Sequence, residues 1–249
     1  MINFWNGNKS PTRQAYELDL LQTILNTQSS SPINIHNDIT DYPVADDEGN
    51  VFSNGTDVLT TIAGNKKFNA KPTIKIDRPL CKGLLGYRIL IIRQQDSEKF
   101  SKIDATTLKS LIAGIPATWV DADLFRANQY KVLEQGSLQD ILQLLKGKQC
   151  DYVSLGANEV HSLFAQIAAP LKGLIIESNI VLQYPFPLVF YVHPDKEELA
   201  QDIETGLDII SKTGDFNTLF ESHYGDVINK LNLHSRKTIN LHNPNISAI

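Results

Sequence analysis

The chain has 249 residues, enough for one large or two small domains, and 42 % of them are apolar, so a sizeable core can be buried. A net charge of −5 with no basic stripe argues against a nucleic-acid partner. No apolar run approaches the roughly 18 residues of a membrane-spanning helix, and no polybasic amphipathic segment suggests a membrane surface.

The predicted elements follow in chain order. Ile2–Trp5 reads as a short strand, and Asn6–Ser10 as a loop turned by Gly7. Pro11–Thr27 is a helix, because Tyr16, Leu18, Leu20, Leu21, Ile24 and Leu25 form a stripe near period 3.6. Ser-rich 28–32 breaks it, and Ile33–Ile39 alternates as a strand. Acidic Tyr42–Gly55 reads as a loop, Thr56–Ala63 as a short helix ended by Gly64-Asn65, and Pro72–Ile76 as a strand. Leu80–Arg93 (LCKGLLGYRILIIR) is a β-rich run. After polar 94–102, Thr106–Ala113 reads as a helix, Thr118–Val120 as a strand, Asp121–Asn128 as a helix and Lys131–Leu133 as a strand. Ser137–Leu145 is a helix whose Ser137 and Asp140 form a capping-box variant. Cys150–Leu155 is a strand and Asn158–Ala168 a helix; Leu174–Ile176 and Val181–Tyr184 are strands. A second β-rich run spans Asn179–Val192 (NIVLQYPFPLVFYV). Asp195–Lys212, Phe216–Tyr224 and Val227–Leu231 read as three helices, and Arg236–Ile249 as a polar tail.

Alternating strands and helices with short links indicate α/β architecture. A chain that leaves one lobe through a strand, builds a second and returns through another strand forms a two-lobed clamp. Lobe 1 is then 1–97 plus 194–249, and lobe 2 is 98–193. Clefts between lobes are where small molecules bind. Cys81 and Cys150 fall in different lobes, where a disulfide would lock the clamp; two separate thiols are the plainer reading. The N-terminus MINFWNGNKS lacks signal-peptide character. Met1 is read as standing where a signal segment was removed, with a native cytoplasmic start as the alternative.

From Leu80 onward the order of motifs resembles bacterial periplasmic solute-binding proteins of the type II fold, in the amino-acid-type branch. The carriers are GLLGYRILIIR, then GIPATWVDADL at Gly114–Leu124, the helix–Gly–strand unit of 136–151, and IISKTGDFNTLFESHY at Ile209–Tyr224. The likeness covers roughly residues 80–232; before it, AYELDL at 15–20 and lysine-rich Gly64–Pro79 depart from the family's pattern, which would reshape the first-lobe half of the site. The resemblance implies two lobes, each a mixed sheet flanked by helices, joined by two hinge strands. It implies a monomeric periplasmic protein that captures a small polar, carboxylate-bearing, amino-acid-like ligand between the lobes and presents it to a membrane permease. A ligand-sensing module for a signalling receptor, a dehydratase-like enzyme on the same fold, and a degenerate binder are the alternatives.

Arg88 stands in the hinge strand where relatives hold an arginine against the ligand carboxylate. A planar guanidinium gives two parallel charge-assisted bonds there, and the alternative is a structural pair with an acidic neighbour. Trp119 and Asp121 flank a helix start that the resemblance places at the ligand; Asp121 holds an ammonium or caps the helix, and Trp119 is a wall or core. Asn158 in GANE binds the ligand amine or caps its helix, and Tyr184 reaches the cleft or packs in the core. Thr56, in the Asn54–Asp57 turn, caps the following helix or donates to ligand, and Trp5 lines the cleft mouth. Nothing points to catalysis, metal or cofactor. The six histidines share no spacing, and HExxH, GxSxG, CxxC and Gly-rich phosphate loops are absent.

Overall fold

The structure is a computed structural model that describes residues 1–246. The chain divides into two compact units, Met1–Lys82 with Pro187–Asp226, and Gly83–Phe186 with Val227–Ile249. It therefore changes unit after Lys82, Phe186 and Asp226, whereas the sequence placed two changes, near 97 and 193. Each unit is described by itself below.

The first unit opens with β1 (Ile2–Trp5) and α1 (Pro11–Asn26). Ser10 caps α1 by accepting from the Arg13 N–H, and proline opens the helix, where no N–H is needed. β2 (Ile35–Asp38) and a short α2 (Ala45–Gly49) follow. The predicted helix at 56–63 is instead β3 (Val58–Ile62). Its Val, Thr and Ile side chains branch at Cβ, which crowds a helix and suits a pleated surface. β4 (Ile74–Ile76) ends this stretch.

The second unit begins with β5 (Tyr87–Arg93), α3 (Ser97–Ser101) and α4 (Ala105–Ser110). β6 (Ile112–Ile115) takes residues predicted as a helix end, and 118–120 is a turn, not a strand. Gly114 fixes that placement: a Cβ there would lie 2.6 Å from Cys150 Sγ and 2.8 Å from Ile141. α5 (Asp121–Ala127), β7 (Lys131–Glu134) and α6 (Leu138–Lys146) come next. The predicted capping box is present on α6, with Ser137 and Asp140 each accepting the other's backbone N–H. The exposed Asp140 carboxyl is held below its usual range by the hydrogen bonds it accepts from the Ser137 backbone N–H and hydroxyl. β8 (Tyr152–Gly156), α7 (Val160–Leu163), β9 (Leu174–Ile176) and β10 (Ile180–Gln183) complete this stretch. A π-helical turn at Phe164–Ala168 continues α7.

β11 (Leu188–Val192) returns to the first unit, followed by α8 (Glu197–Thr213) and α9 (Asp215–Lys230). Two helices were predicted where α9 runs unbroken. Gly214, at φ 89°, sits in the left-handed region that ends α8. The predicted polar tail contains β12 (Lys237–Asn240), which pairs in parallel with β10; its last residues, 247–249, lie outside the described residues.

The first sheet has the order β2-β1-β3-β11-β4, and the second β12-β10-β5-β8-β6-β7, with β9 also pairing β5. The two apolar runs of the sequence thus supply interior strands: β11 lies between β3 and β4, and β5 beside β8. Burial on both faces is why they read as continuous hydrophobic stretches. α1 packs on α8 so closely that a Cβ on Gly206 would lie 2.5 Å from the Ile24 carbonyl oxygen. Cys81 in the first unit and Cys150 in the second are buried and not joined in a disulfide.

Candidate functional site

Both sheets contain the same three-stranded parallel motif. In the first unit β1 lies between β2 and β3; in the second β6 lies between β7 and β8. The chain runs from the middle strand to one neighbour and then to the other. Such a reversal opens a crevice at the carboxyl ends of the strands, where ligands of α/β sheets bind.

In the second unit that end is formed by 116–120 after β6, 135–137 after β7 and 157–159 after β8. The loops are tied together. Gln135 N–H donates to Ile115 O at 3.2 Å, Ala117 N–H to Gly136 O at 2.8 Å, and Thr118 N–H to Glu134 Oε1 at 3.1 Å. Thr118 is held at φ 70°, an unfavourable conformation for a β-branched residue. Trp119 follows it, half-buried.

β5 pairs with β8 so that Arg88 stands opposite Gly156. Arg88 is consequently delivered to the same end of the sheet, but it is only 2 % exposed. Its Nη2 lies 2.8 Å from Asp121 Oδ1, and Nη1 lies 4.0 Å from Glu159 Oε1. The guanidinium also donates to Leu85 O and Ser154 O and lies near the Tyr184 and Phe186 rings. The buried Tyr184 hydroxyl donates to Asp121 Oδ1 at 2.5 Å. Burial, with a further push from the Asp121 charge, holds this phenol well above its usual range, so it stays a donor. Asp121 therefore pairs rather than caps: α5 has no side-chain cap.

Asn158 also caps nothing, since the residue flanking α7 is Glu159. The Asn158 side chain is 3 % exposed, and neither its Nδ2 nor its Oδ1 has a hydrogen-bond partner. Gly156 leaves room for it: a Cβ there would lie 2.7 Å from Asn158 Oδ1 and 3.2 Å from Glu159 Oε1. Arg88, Asp121, Asn158 and Tyr184 thus gather at one end of one sheet, with Trp119 in the adjoining turn.

Thr56 and Trp5 belong to the first unit. Thr56 is buried just before β3, and its N–H donates to Val51 O, so no helix is there to cap. Trp5 lies in an apolar cluster with Val51, Phe52, Leu59 and Phe68, and its Nε1 donates to Thr40 O at 2.9 Å. It is a core side chain of its unit.

The carboxyl end of β1 carries a polar centre that sequence reasoning missed. Lys9 Nζ reaches Glu17 Oε2 at 2.8 Å, Thr60 Oγ1 at 2.7 Å and Asn6 Oδ1 at 3.1 Å. Glu17, fully buried, also pairs with Arg13 Nε at 2.8 Å and accepts from the Thr60 hydroxyl. Burial drives the Lys9 amine down to about 8 despite Glu17. The Glu17 carboxyl is resisted by burial, yet Arg13 and Lys9 hold it below its usual range. The signal was present: Glu17 falls at the i position of the buried i+3, i+4, i+7 set Leu20, Leu21, Ile24, so a carboxylate on the apolar face needed a cation. Among the described residues, no group of three or more His, Cys, Asp or Glu is disposed to hold a metal ion, and no helix is long and apolar enough to cross a membrane.

No protein-family model matches the chain, and no curated protein sequence matches it. Solved structures do. A mutant of ArgBP from T. maritima is 16 % identical over 90 % of this chain and 95 % of its own, with a TM-score of 0.59. An amino acid ABC transporter substrate-binding protein from Streptococcus pneumoniae, bound to L-arginine, is 11 % identical over 90 % and 93 %, with a TM-score of 0.62. A histidine kinase sensor domain with similarity to periplasmic binding proteins is 15 % identical over 90 % and 96 %, also at 0.62. With its two sheets flanked by helices, the chain has the two-lobed type II periplasmic-binding-protein fold.

Proposed function

We propose that the chain is a periplasmic solute-binding protein that captures a small polar, amino-acid-like molecule for a membrane permease, and that it is not an enzyme. The observation carrying this reading is the fold likeness over nine-tenths of the chain to solved proteins with an amino acid bound. The second-unit cluster supports it by supplying polar groups at the sheet end where α/β ligands bind. On this reading Trp119 and Asn158 face the solute. Arg88, Asp121 and Tyr184 form the rigid layer behind them, so the guanidinium positions rather than grips. Thr56 and Trp5 shape the first unit.

The test is a thermal-shift screen of the standard amino acids and small carboxylates. A ligand at a hundred times its Kd adds about 2.7 kcal/mol, or roughly 5–10 °C for a chain of this size. The absence of any shift across the panel would refute the reading. The sensor-domain neighbour favours one alternative, the same clamp serving a signalling protein. Permease and ATPase genes beside this one support transport; kinase or cyclase genes support sensing.

A further inference from the structure

Resting on the solute-binding reading above, we infer that Asn158 reads an uncharged carboxamide on the ligand. The polar groups around Asn158 are already engaged. Arg88 pairs with Asp121, Tyr184 donates to the same Asp121 oxygen, and the Gly156 N–H donates to Glu159 Oε1 at 3.3 Å. Asn158 alone of this group offers a donor and an acceptor that the protein does not use, although the side chain is buried. Buried polar atoms in folded proteins are nearly always paired, and a side chain left with both its donor and its acceptor unmet calls for a partner that offers both.

The chemistry of that partner follows from what an amide offers. A carboxamide on the solute presents an oxygen to Nδ2 and an N–H to Oδ1, and satisfies both. A carboxylate presents acceptors only. It would leave Oδ1 unmatched and lie beside Glu159, whose Oε1 is 3.2 Å from a point itself 2.7 Å from Asn158 Oδ1. An ammonium or guanidinium presents donors only and would leave Nδ2 facing another donor. The Arg88 charge is balanced within the unit, so it does not rescue an acidic ligand. Sites built to hydrogen-bond one group reject its near-isosteres because their own buried atoms are left unpaired.

The experiment is calorimetric titration of the whole chain with L-glutamine, L-asparagine, L-glutamate, L-aspartate, L-arginine and L-lysine, followed by the same panel on Asn158→Leu. That variant removes no protein hydrogen bond, and its thermal unfolding beside the wild type's confirms that it is folded before titration. The expected result is that an amide binds the wild type at least tenfold tighter than its acid and than either cation, and that Asn158→Leu loses this preference. A glutamate, aspartate, arginine or lysine that binds as tightly as the amides overturns the inference and leaves the solute-binding reading standing. A preference for amides that survives in Asn158→Leu also overturns it. No binding anywhere in the panel overturns the inference, and the solute-binding reading falls with it only when the wider thermal-shift screen is blank as well.

Discussion

The Arg88–Asp121 pair gives the sharpest test of the second unit's architecture. The perturbation is Asp121→Asn, which keeps the shape and removes the charge. Arg88 is then a buried cation whose nearest carboxylate is Glu159, at 4.0 Å. Breaking a buried pair from one side typically costs about 3–5 kcal/mol, because the surviving charge stays desolvated. Glu159 and the carbonyls of Leu85 and Ser154 remain near the guanidinium, which places the expected loss at the lower end, about 3 kcal/mol. Denaturant unfolding reads it directly, and the midpoint temperature falls by roughly 6–12 °C. The companion is Arg88→Met with Asp121→Asn, which removes both charges and leaves the buried Tyr184 hydroxyl an acceptor. Removing both charges together recovers most of the loss, since the desolvated cation that makes the single variant costly is then gone. A single variant that loses less than about 1 kcal/mol, the range of an exposed pair, would refute the description of this pair as desolvated. So would a double variant no better than the single.

Three further outcomes are expected. The Lys9 amine is depressed from 10.5 to about 8, so between those values the unfolded chain holds a proton that the folded chain lacks. Stability therefore rises with pH in that window, by about 1–2 kcal/mol between pH 8 and 9.5, and is flat on this account below 8. Urea unfolding across the window shows the slope in the wild type and its loss in Lys9→Met; equal slopes would contradict the assignment. Gly206→Ala puts a methyl 2.5 Å from the Ile24 carbonyl, and the forced separation of α1 and α8 outweighs the ~1 kcal/mol gain in helix propensity. A Tm above wild type would show that α8 can move. The Cys150 thiol, pushed up to about 12 by burial, and the buried Cys81 stay silent to a thiol reagent at pH 8 and react only on unfolding; labelling of the native chain would show the burial to be wrong.

What the sequence disclosed and what it hid divide along physical lines. The cores of Leu80–Arg93 and Asn179–Val192 were legible as strands because each lies within a sheet, where both faces are apolar. The Ser137–Asp140 box was legible because its hydrogen bonds are local. β3 was misread because TDVLTTIA is short and its ladder partners, β1 and β11, are distant in sequence. β12 was hidden because only Ile239 of its four residues faces inward, so it has the composition of a tail. Arg88 stood out as a cation within an apolar run, but its partner lies 33 positions away and its register depends on Gly156, so the sequence left its role open. Trp5 was assigned to a cleft mouth when its ring fills a core, since nothing local distinguishes the two.

For the proposed solute binding, the charge pattern bears on which forces recognition would draw on. Each unit carries a cation at the carboxyl end of its parallel motif, Lys9 in one and Arg88 in the other, and each cation is matched by a buried carboxylate of the same unit. A ligand charge brought to either would have to compete with a partner already desolvated and in place. The free energy available for binding then comes from hydrogen bonds and apolar contact more than from Coulomb attraction. Such binding changes little with ionic strength, because no counterion is exchanged and the internal pairs are screened poorly. An affinity that collapsed between low and high salt would mean that one of these pairs opens to receive the solute, and the division into a reading residue, Asn158, and a supporting layer behind it would have to be reversed.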